Sequence, residues 1–146
     1  MKKGIVRAVN ISSKKGVVKE PAESVVMAVD FGVEGDAHGG PGKRQVSLLA
    51  RESVNKMIAL TGKEDLCDGI FAENITTEGL ELHTLPVGTK LKIGETLHMV
   101  SQIGKECHAG CAIMQQVGQC IMPKEGIFTQ VLEGGTVKAG DEILIL

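Results

Sequence analysis

The sequence predicts a mainly β fold, a barrel or sandwich with a few short helices at its periphery. Three observations carry this. Nineteen glycines in 146 residues are spread along the chain, so tight turns are frequent. The apolar runs between them are short and rich in β-branched residues, as strands require. No internal repeat, linker or low-complexity tract divides the chain, so residues 1–146 read as one domain.

The elements follow in order. Residues 4–12 (GIVRAVNIS) read as a strand, and residues 12–16 (SSKKG) as a turn. Residues 24–32 (SVVMAVDFG) read as a second strand, apolar enough to be covered on both faces. Residues 32–44 hold five glycines and a proline and form a loop. Val54, Met57 and Ile58 stand at i, i+3 and i+4, which predicts a short amphipathic helix over 51–60. Further strands are predicted over about 70–75, 89–93 and 96–103. Residues 107–118 read as a loop leading into a short helix. GIFTQVLEGG and DEILIL then close the chain as strands, with GTVKAGD as the turn between them.

Composition excludes several functions. The net charge is −2, so no strong positive field exists for a polyanion. Trp and Tyr are absent and Phe occurs three times, which removes the stacking platforms of single-strand binders. No apolar run approaches the roughly 20 residues that span a bilayer. Arg7 and Asn10 interrupt any secretory h-region. The expectation is a cytoplasmic protein with neither nucleic acid nor membrane as partner. Reducing conditions there make its four cysteines core residues, metal ligands or reactive groups, not disulfides.

Candidate chemistry gathers in two places. The first is the glycine-rich loop, where Gly35, Asp36, His38, Gly39, Lys43 and Arg44 lie close in sequence. Glycine-loop amides can converge on an anion, and an Arg offers a two-pronged donor to phosphate. The Walker pattern fails, because Ala37 stands where its first glycine belongs and Arg44 where it needs Ser or Thr. A solvent-exposed turn is the competing reading. An extended backbone would put Asp36 and His38 on one side, to hold a metal or to make His38 an oriented proton carrier. The competing reading is a turn-capping Asp beside a packed His.

The second place is the cysteine-bearing segment. Lys105 and His108 favour the thiolate form of Cys107, while Glu106 opposes it. Cys107, His108, Cys111 and Cys120 could instead complete a structural zinc shell, although paired C-x2-C knuckles are absent. Cys67 has acidic neighbours and reads as structural. His83 and His98 read as edge or core histidines. Asn74 is as suited to stabilising a turn as to touching a ligand, and Glu125 is a candidate pocket residue.

The ordered set GVEGDAHGG (residues 32–40), RQVSLL (44–49), ENITTEGLEL (73–82), LPVG (85–88), LKIGE (91–95) and Cys107 resembles the MOSC domain family. That family is named after the C-terminal domain of molybdenum cofactor sulfurases. The resemblance runs from about residue 4 to residue 146, and CIMPKEGIF (120–128) resembles the bacterial stand-alone branch. It implies a β-barrel of mixed topology and a protein tied to the molybdenum cofactor (molybdopterin). Cys107 would then carry sulfur as a persulfide or, as in a related reductase branch, ligate molybdenum. Gly35, Asp36, Gly39, Lys43, Arg44, Asn74 and Lys105 would surround the cofactor, with His38 beside them. The implied partners are a cysteine desulfurase-like sulfur donor and a molybdoenzyme or molybdopterin-handling protein. Pyridoxal phosphate would enter only through that donor, since the chain lacks an aminotransferase-like domain. Many family members carry Arg-x-Pro-Cys where this chain has Gly104-Lys105-Glu106-Cys107, leaving Lys105 as the replacement for the missing Arg.

Overall fold

A computed structural model describes residues 3–14, 18–62, 68–104 and 122–146, with the side chains of residues 122 and 123 left out. The first strand, β1 (Lys3–Ile11), alternates buried and exposed residues until a bulge between Val6 and Ala8 shifts the phase. Ala8, Val9 and Asn10 are therefore all buried, which simple alternation would not give. The next strands are β2 (Glu20–Ala22), β3 (Ser24–Ala28), β4 (Gly32–Val33) and β5 (Val46–Ala50). Helix α1 (Arg51–Thr61) follows, then β6 (Ile75–Glu78), a 3-10 turn (Leu82–Thr84), β7 (Lys90–Ile93) and β8 (Thr96–Ile103). A short helix α2 (Met122–Glu125) precedes β9 (Ile127–Glu133), β10 (Gly135–Lys138) and β11 (Glu142–Ile145).

Strands β1, β11, β7, β8, β9, β5 and β6 pair in that order, and β6 returns to β1 to close a seven-stranded barrel. All pairs are antiparallel except β5 with β6, so the topology is mixed. Closure removes unpaired edges from the wall. The barrel interior is filled by Val6, Leu48, Ile75, Leu91, Val100 and Ile127, among others. A second sheet, β10-β3-β4, turns Val25, Met27, Val33 and Val137 onto the same core. Outside the wall, Leu49 and Phe128 pack with Val54 and Met57 of α1 and with Phe71. Strand β5 is thus buried on both faces, between the interior and α1, which is why VSLLA shows no alternation. The helix ends where Gly62 takes a left-handed conformation and donates its N–H to Ile58.

Three predicted elements need correction. The strand expected over 24–32 is a hairpin: β3 stops at Ala28, Asp30 takes a φ of 55°, and the chain returns as β4. The strand expected over 70–75 begins only at Ile75, because residues 69–73 turn around a buried Glu73 carboxylate. GTVKAGD is not all turn, since Gly135–Lys138 pairs with β3 from Met27 to Ser24. The predicted loop and helix over 107–118 lie outside the described residues.

Candidate functional site

The glycine loop, residues 34–45, runs from the end of β1 to the paired strands β8 and β9. Its first half is held by its own backbone. The amides of Asp36, Ala37, Gly39 and Gly40 donate to carbonyls of Val33, Ser12, Asp36 and Phe31. The His38 amide donates to Asp36 Oδ2 at 3.1 Å. These N–H groups are engaged within the fold and are not turned toward a ligand. The second half is held by its carbonyls. Gly42 O accepts from Gln45 and Gln130, and the Lys43 carbonyl accepts from the Ser101 hydroxyl. The side chains of Lys43 and Arg44 remain exposed. Arg44 Nε donates to Gln102 Oε1 at 3.2 Å, and its guanidinium lies 5.6 Å from the centre of the Phe128 ring. Gln102 donates in turn to the carbonyl of Gly104, at the end of β8. The Gly104 amide donates to Gly126 O, so the chain leaves and re-enters the wall at one place.

Asp36 and His38 do not lie on an extended backbone. They sit in a turn, and His38 Nδ1 is 3.8 Å from Asp36 Oδ2, too far for a hydrogen bond. Lys19 joins them. Its side chain is 0% exposed, and its Nζ lies 2.7 Å from Asp36 Oδ1, 3.0 Å from His38 Nδ1 and 3.2 Å from Ser12 Oγ. Burial alone would raise the Asp36 carboxyl. The Lys19 ammonium and the amides of Ser12 and His38 overcome that and hold it well below the usual carboxylate range. Lys19 was not singled out from the sequence. It stands 17 residues from Asp36, and no local pattern marks a lysine that will be buried.

The remaining predicted residues divide. Gly35, with a φ of 84°, lines a cavity with Ser12, Ser13 and Lys14. Gly39 lies against Phe31, whose ring a Cβ would strike, so its smallness serves packing. Asn74 is buried and bonded to the Ser47 amide and the Asn10 carbonyl, tying β1 and β5 to the start of β6. His98 is a core histidine, as read from the sequence. His83 lies on the 3-10 turn and not on a strand. It lines a cavity of about 380 Å³ with Ser53, Lys56 and Glu125. Glu125 accepts from Ser53 at 2.6 Å and from Lys56 at 3.0 Å. Burial raises its carboxyl, but these contacts together, with His83 nearby, bring it below its ordinary value. Lys105, Cys107, His108, Cys111, Cys120 and Cys67 lie outside the described residues. Among the described residues, no three His, Cys, Asp or Glu side chains are arranged to hold a metal ion. No helix among them is long and apolar enough to cross a membrane.

The MOSC domain matches this chain over residues 34–144. The chain belongs to the MOSC domain family. The Bacillus subtilis protein YflK is 28% identical over 142 residues, covering 90% of this chain and 63% of YflK. The chain thus spans less than two thirds of that relative's length. Among solved structures, YuaD from Bacillus subtilis has a TM-score of 0.77 at 18% identity, covering 97% of this chain and 94% of YuaD. YiiM from Geobacillus stearothermophilus has a TM-score of 0.76 at 21% identity, covering 98% of this chain and 75% of YiiM. YiiM from Escherichia coli has a TM-score of 0.65 at 21% identity, covering 97% of this chain and 69% of that protein. At these identities the likeness establishes the fold, a MOSC barrel. The family is associated with the molybdenum cofactor. Within the MOSC match lie the glycine loop, α1, the exit of β8 and Cys107, while Lys19 precedes it.

Proposed function

We propose that this MOSC domain binds the pterin form of the molybdenum cofactor and carries or transfers sulfur through Cys107. The observation behind this reading is the chain of contacts from Arg44 through Gln102 to Gly104. It sets an exposed guanidinium at the exit of β8, and Cys107 follows Gly104 by three residues. Covalent geometry keeps three residues within about 10 Å. A basic group suited to a phosphate thus stands at the end of the strand that the candidate nucleophile follows in sequence.

The described residues fit an anionic ligand. Lys43 and Arg44 are exposed cations, and the buried Asp36 carboxylate is neutralised by Lys19. Arg44 suits a phosphate because its planar fork can donate two parallel hydrogen bonds. Bound there, the cofactor would supply a molybdenum centre, for which a thiolate is a soft ligand. Gly35, Asp36, Gly39 and Asn74 support the site by holding the loop and the β5–β6 junction, and Lys105 adds positive charge beside Cys107. The sulfur donor is a cysteine desulfurase-like protein holding pyridoxal phosphate. The acceptor is a molybdoenzyme or molybdopterin-handling protein, and the setting is the cytoplasm.

The test is protein made in a host that synthesises the cofactor, assayed together for molybdenum, zinc, pterin fluorescence and cyanide-releasable sulfur. Molybdenum and pterin should co-purify. The releasable sulfur should vanish in Cys107→Ser and survive in Cys67→Ser. Pterin retained by both wild type and Cys107→Ser, with no sulfur on either, would reduce the function to cofactor carriage. One equivalent of zinc without pterin would overturn the reading.

A further inference from the structure

We propose that Lys19 is a positioning residue that locks His38 as its Nε2–H tautomer, making His38 a fixed hydrogen-bond donor to a ligand oxyanion. An ammonium group has three N–H donors and no acceptor. Those of Lys19 meet Asp36 Oδ1, Ser12 Oγ and His38 Nδ1 at 2.7, 3.2 and 3.0 Å. The Ser12 hydroxyl donates to Lys14 O at 2.9 Å, so it receives the bond from Lys19. Asp36 Oδ1 also takes the Ser12 amide, and Oδ2 takes the His38 amide. Nδ1 of His38 must then accept, because a hydrogen there would point at the ammonium's own hydrogens. A neutral imidazole that accepts at Nδ1 carries its hydrogen on Nε2.

The arrangement has a direction. The Nδ1 edge of the ring faces a lysine with no exposed side-chain surface, while the imidazole as a whole is 33% exposed. Nε2 has no bond to any described residue and is not among the buried polar atoms left without a partner, so it lies on the exposed edge. His98 provides the contrast. Both its nitrogens bond to buried threonine hydroxyls, and nothing of the ring reaches the surface. His38 is anchored at one nitrogen only and offers a donor of set orientation at the other. A donor held before the ligand arrives loses little orientational freedom on binding.

The ligand class is an oxyanion, since a fixed N–H finds its strongest partner in a charged oxygen. A phosphate group is the member of that class that Lys43 and Arg44 also suit. This deepens the cofactor-binding reading and rests on it only for the identity of the natural ligand. His38 then acts as a donor to the ligand and not as the carrier of a proton.

The test uses wild-type protein without pterin, labelled with 15N-histidine, near neutral pH. Two-bond 1H–15N correlation distinguishes the two ring nitrogens, and His38→Gln identifies the His38 signal among the four histidines. Wild type should show Nδ1 without hydrogen and Nε2 with it. Asp36→Asn, which keeps Lys19, should preserve that pattern. Lys19→Met combined with Asp36→Asn leaves no buried unpaired charge and should give a mixture of tautomers. Inorganic phosphate, against sodium chloride of equal ionic strength, should shift the His38 Nε2 resonance. His38→Gln should weaken phosphate binding about tenfold, the worth of one hydrogen bond to a charged group. An Nδ1–H or mixed tautomer in wild type overturns the role of Lys19. Phosphate that leaves the Nε2 resonance unmoved overturns the donor role. Neither result bears on molybdenum or pterin content, so failure here is distinct from failure of the cofactor-binding reading.

Discussion

In the barrel wall, His98 of β8 is enclosed between Thr96 and Thr129, whereas in the glycine loop His38 is held from one side by Lys19. Thr96 Oγ1 donates to Ile93 O, so it accepts from His98 Nε2–H, and Thr129 donates to Nδ1. Every polar atom of that imidazole is satisfied without any charge. Burial accordingly pushes its pKa down to about 3. The loop uses the opposite device, a buried lysine paired with a carboxylate. A neutral network and an ionic one thus hold the same side chain. The neutral one seals both nitrogens, and the ionic one leaves the ring partly at the surface.

The largest difference between the two regions should appear when a partner is removed. Asp36→Ala removes the carboxylate that the buried Lys19 ammonium meets at 2.7 Å, and breaking a buried pair from one side costs about 3–5 kcal/mol. Lys19→Met together with Asp36→Leu replaces the pair by apolar groups and should recover most of that. Urea midpoints of the single and double variants check it. Equal losses in both would show that the pair is not coupled, and the contrast with His98 would collapse.

Much of the wall was legible in the chain, because β-branched runs and glycine turns are local signals. The β-branched run of β1 and the i, i+3, i+4 set in α1 gave boundaries within a residue or so of those observed. Strand β10 was not legible. Four residues, GTVK, carry too little pattern, and their partner β3 lies more than a hundred residues earlier. The candidate site was legible as a loop and not as a geometry. Sequence marks Asp36 and His38 as neighbours but gives no sign that Lys19 enters between them. Glu73 was noticed only as part of a motif, since the amides of Gly69 and Phe71 that bind its carboxylate are backbone groups without a sequence signature. The Cys107 segment lies outside the described residues, so its reading still rests on the order of residues.

The wall also contains an acidic counterpart to His98, and the two sharpen the comparison through pH. Burial pushes the Glu73 carboxyl up to about 7, although Thr76 and two amides bond to it. A carboxyl raised from 4.5 to about 7 gives stability that is full below pH 4.5 and lost as pH rises toward 7. A histidine lowered from 6.5 to about 3 gives stability that is full above pH 6.5 and lost as pH falls toward 3. Between pH 4.5 and 6.5 the slopes oppose each other, each at about 1.4 kcal/mol per pH unit. Wild-type stability should therefore be nearly flat there. Glu73→Gln should expose a rise with pH, and His98→Leu a fall, on top of about 1–3 kcal/mol lost because Thr129 loses its acceptor. Chemical denaturation across that window reads both slopes. Parallel curves for all three proteins would refute the assignment.

The smallest expected effect on stability falls on the residue expected to matter most for ligand retention. Arg44 is exposed, its bond to Gln102 is a single contact at 3.2 Å, and its stacking on Phe128 takes place at the surface. Removing such a side chain changes folding stability by no more than about 0.5 kcal/mol. Removing a charged donor from a phosphate costs about 1.5–3 kcal/mol of binding, a tenfold or greater loss of affinity. Arg44→Ala should therefore unfold at the wild-type urea concentration while retaining much less pterin after purification. Asp36→Ala, at the other end of the same loop, should lose stability first and retention as a consequence. If Arg44→Ala keeps its pterin, Arg44 is not the phosphate contact. If it loses stability as Asp36→Ala does, the loop carries structural load along its whole length, and the distinction between an anchored end and a ligand-facing end is wrong.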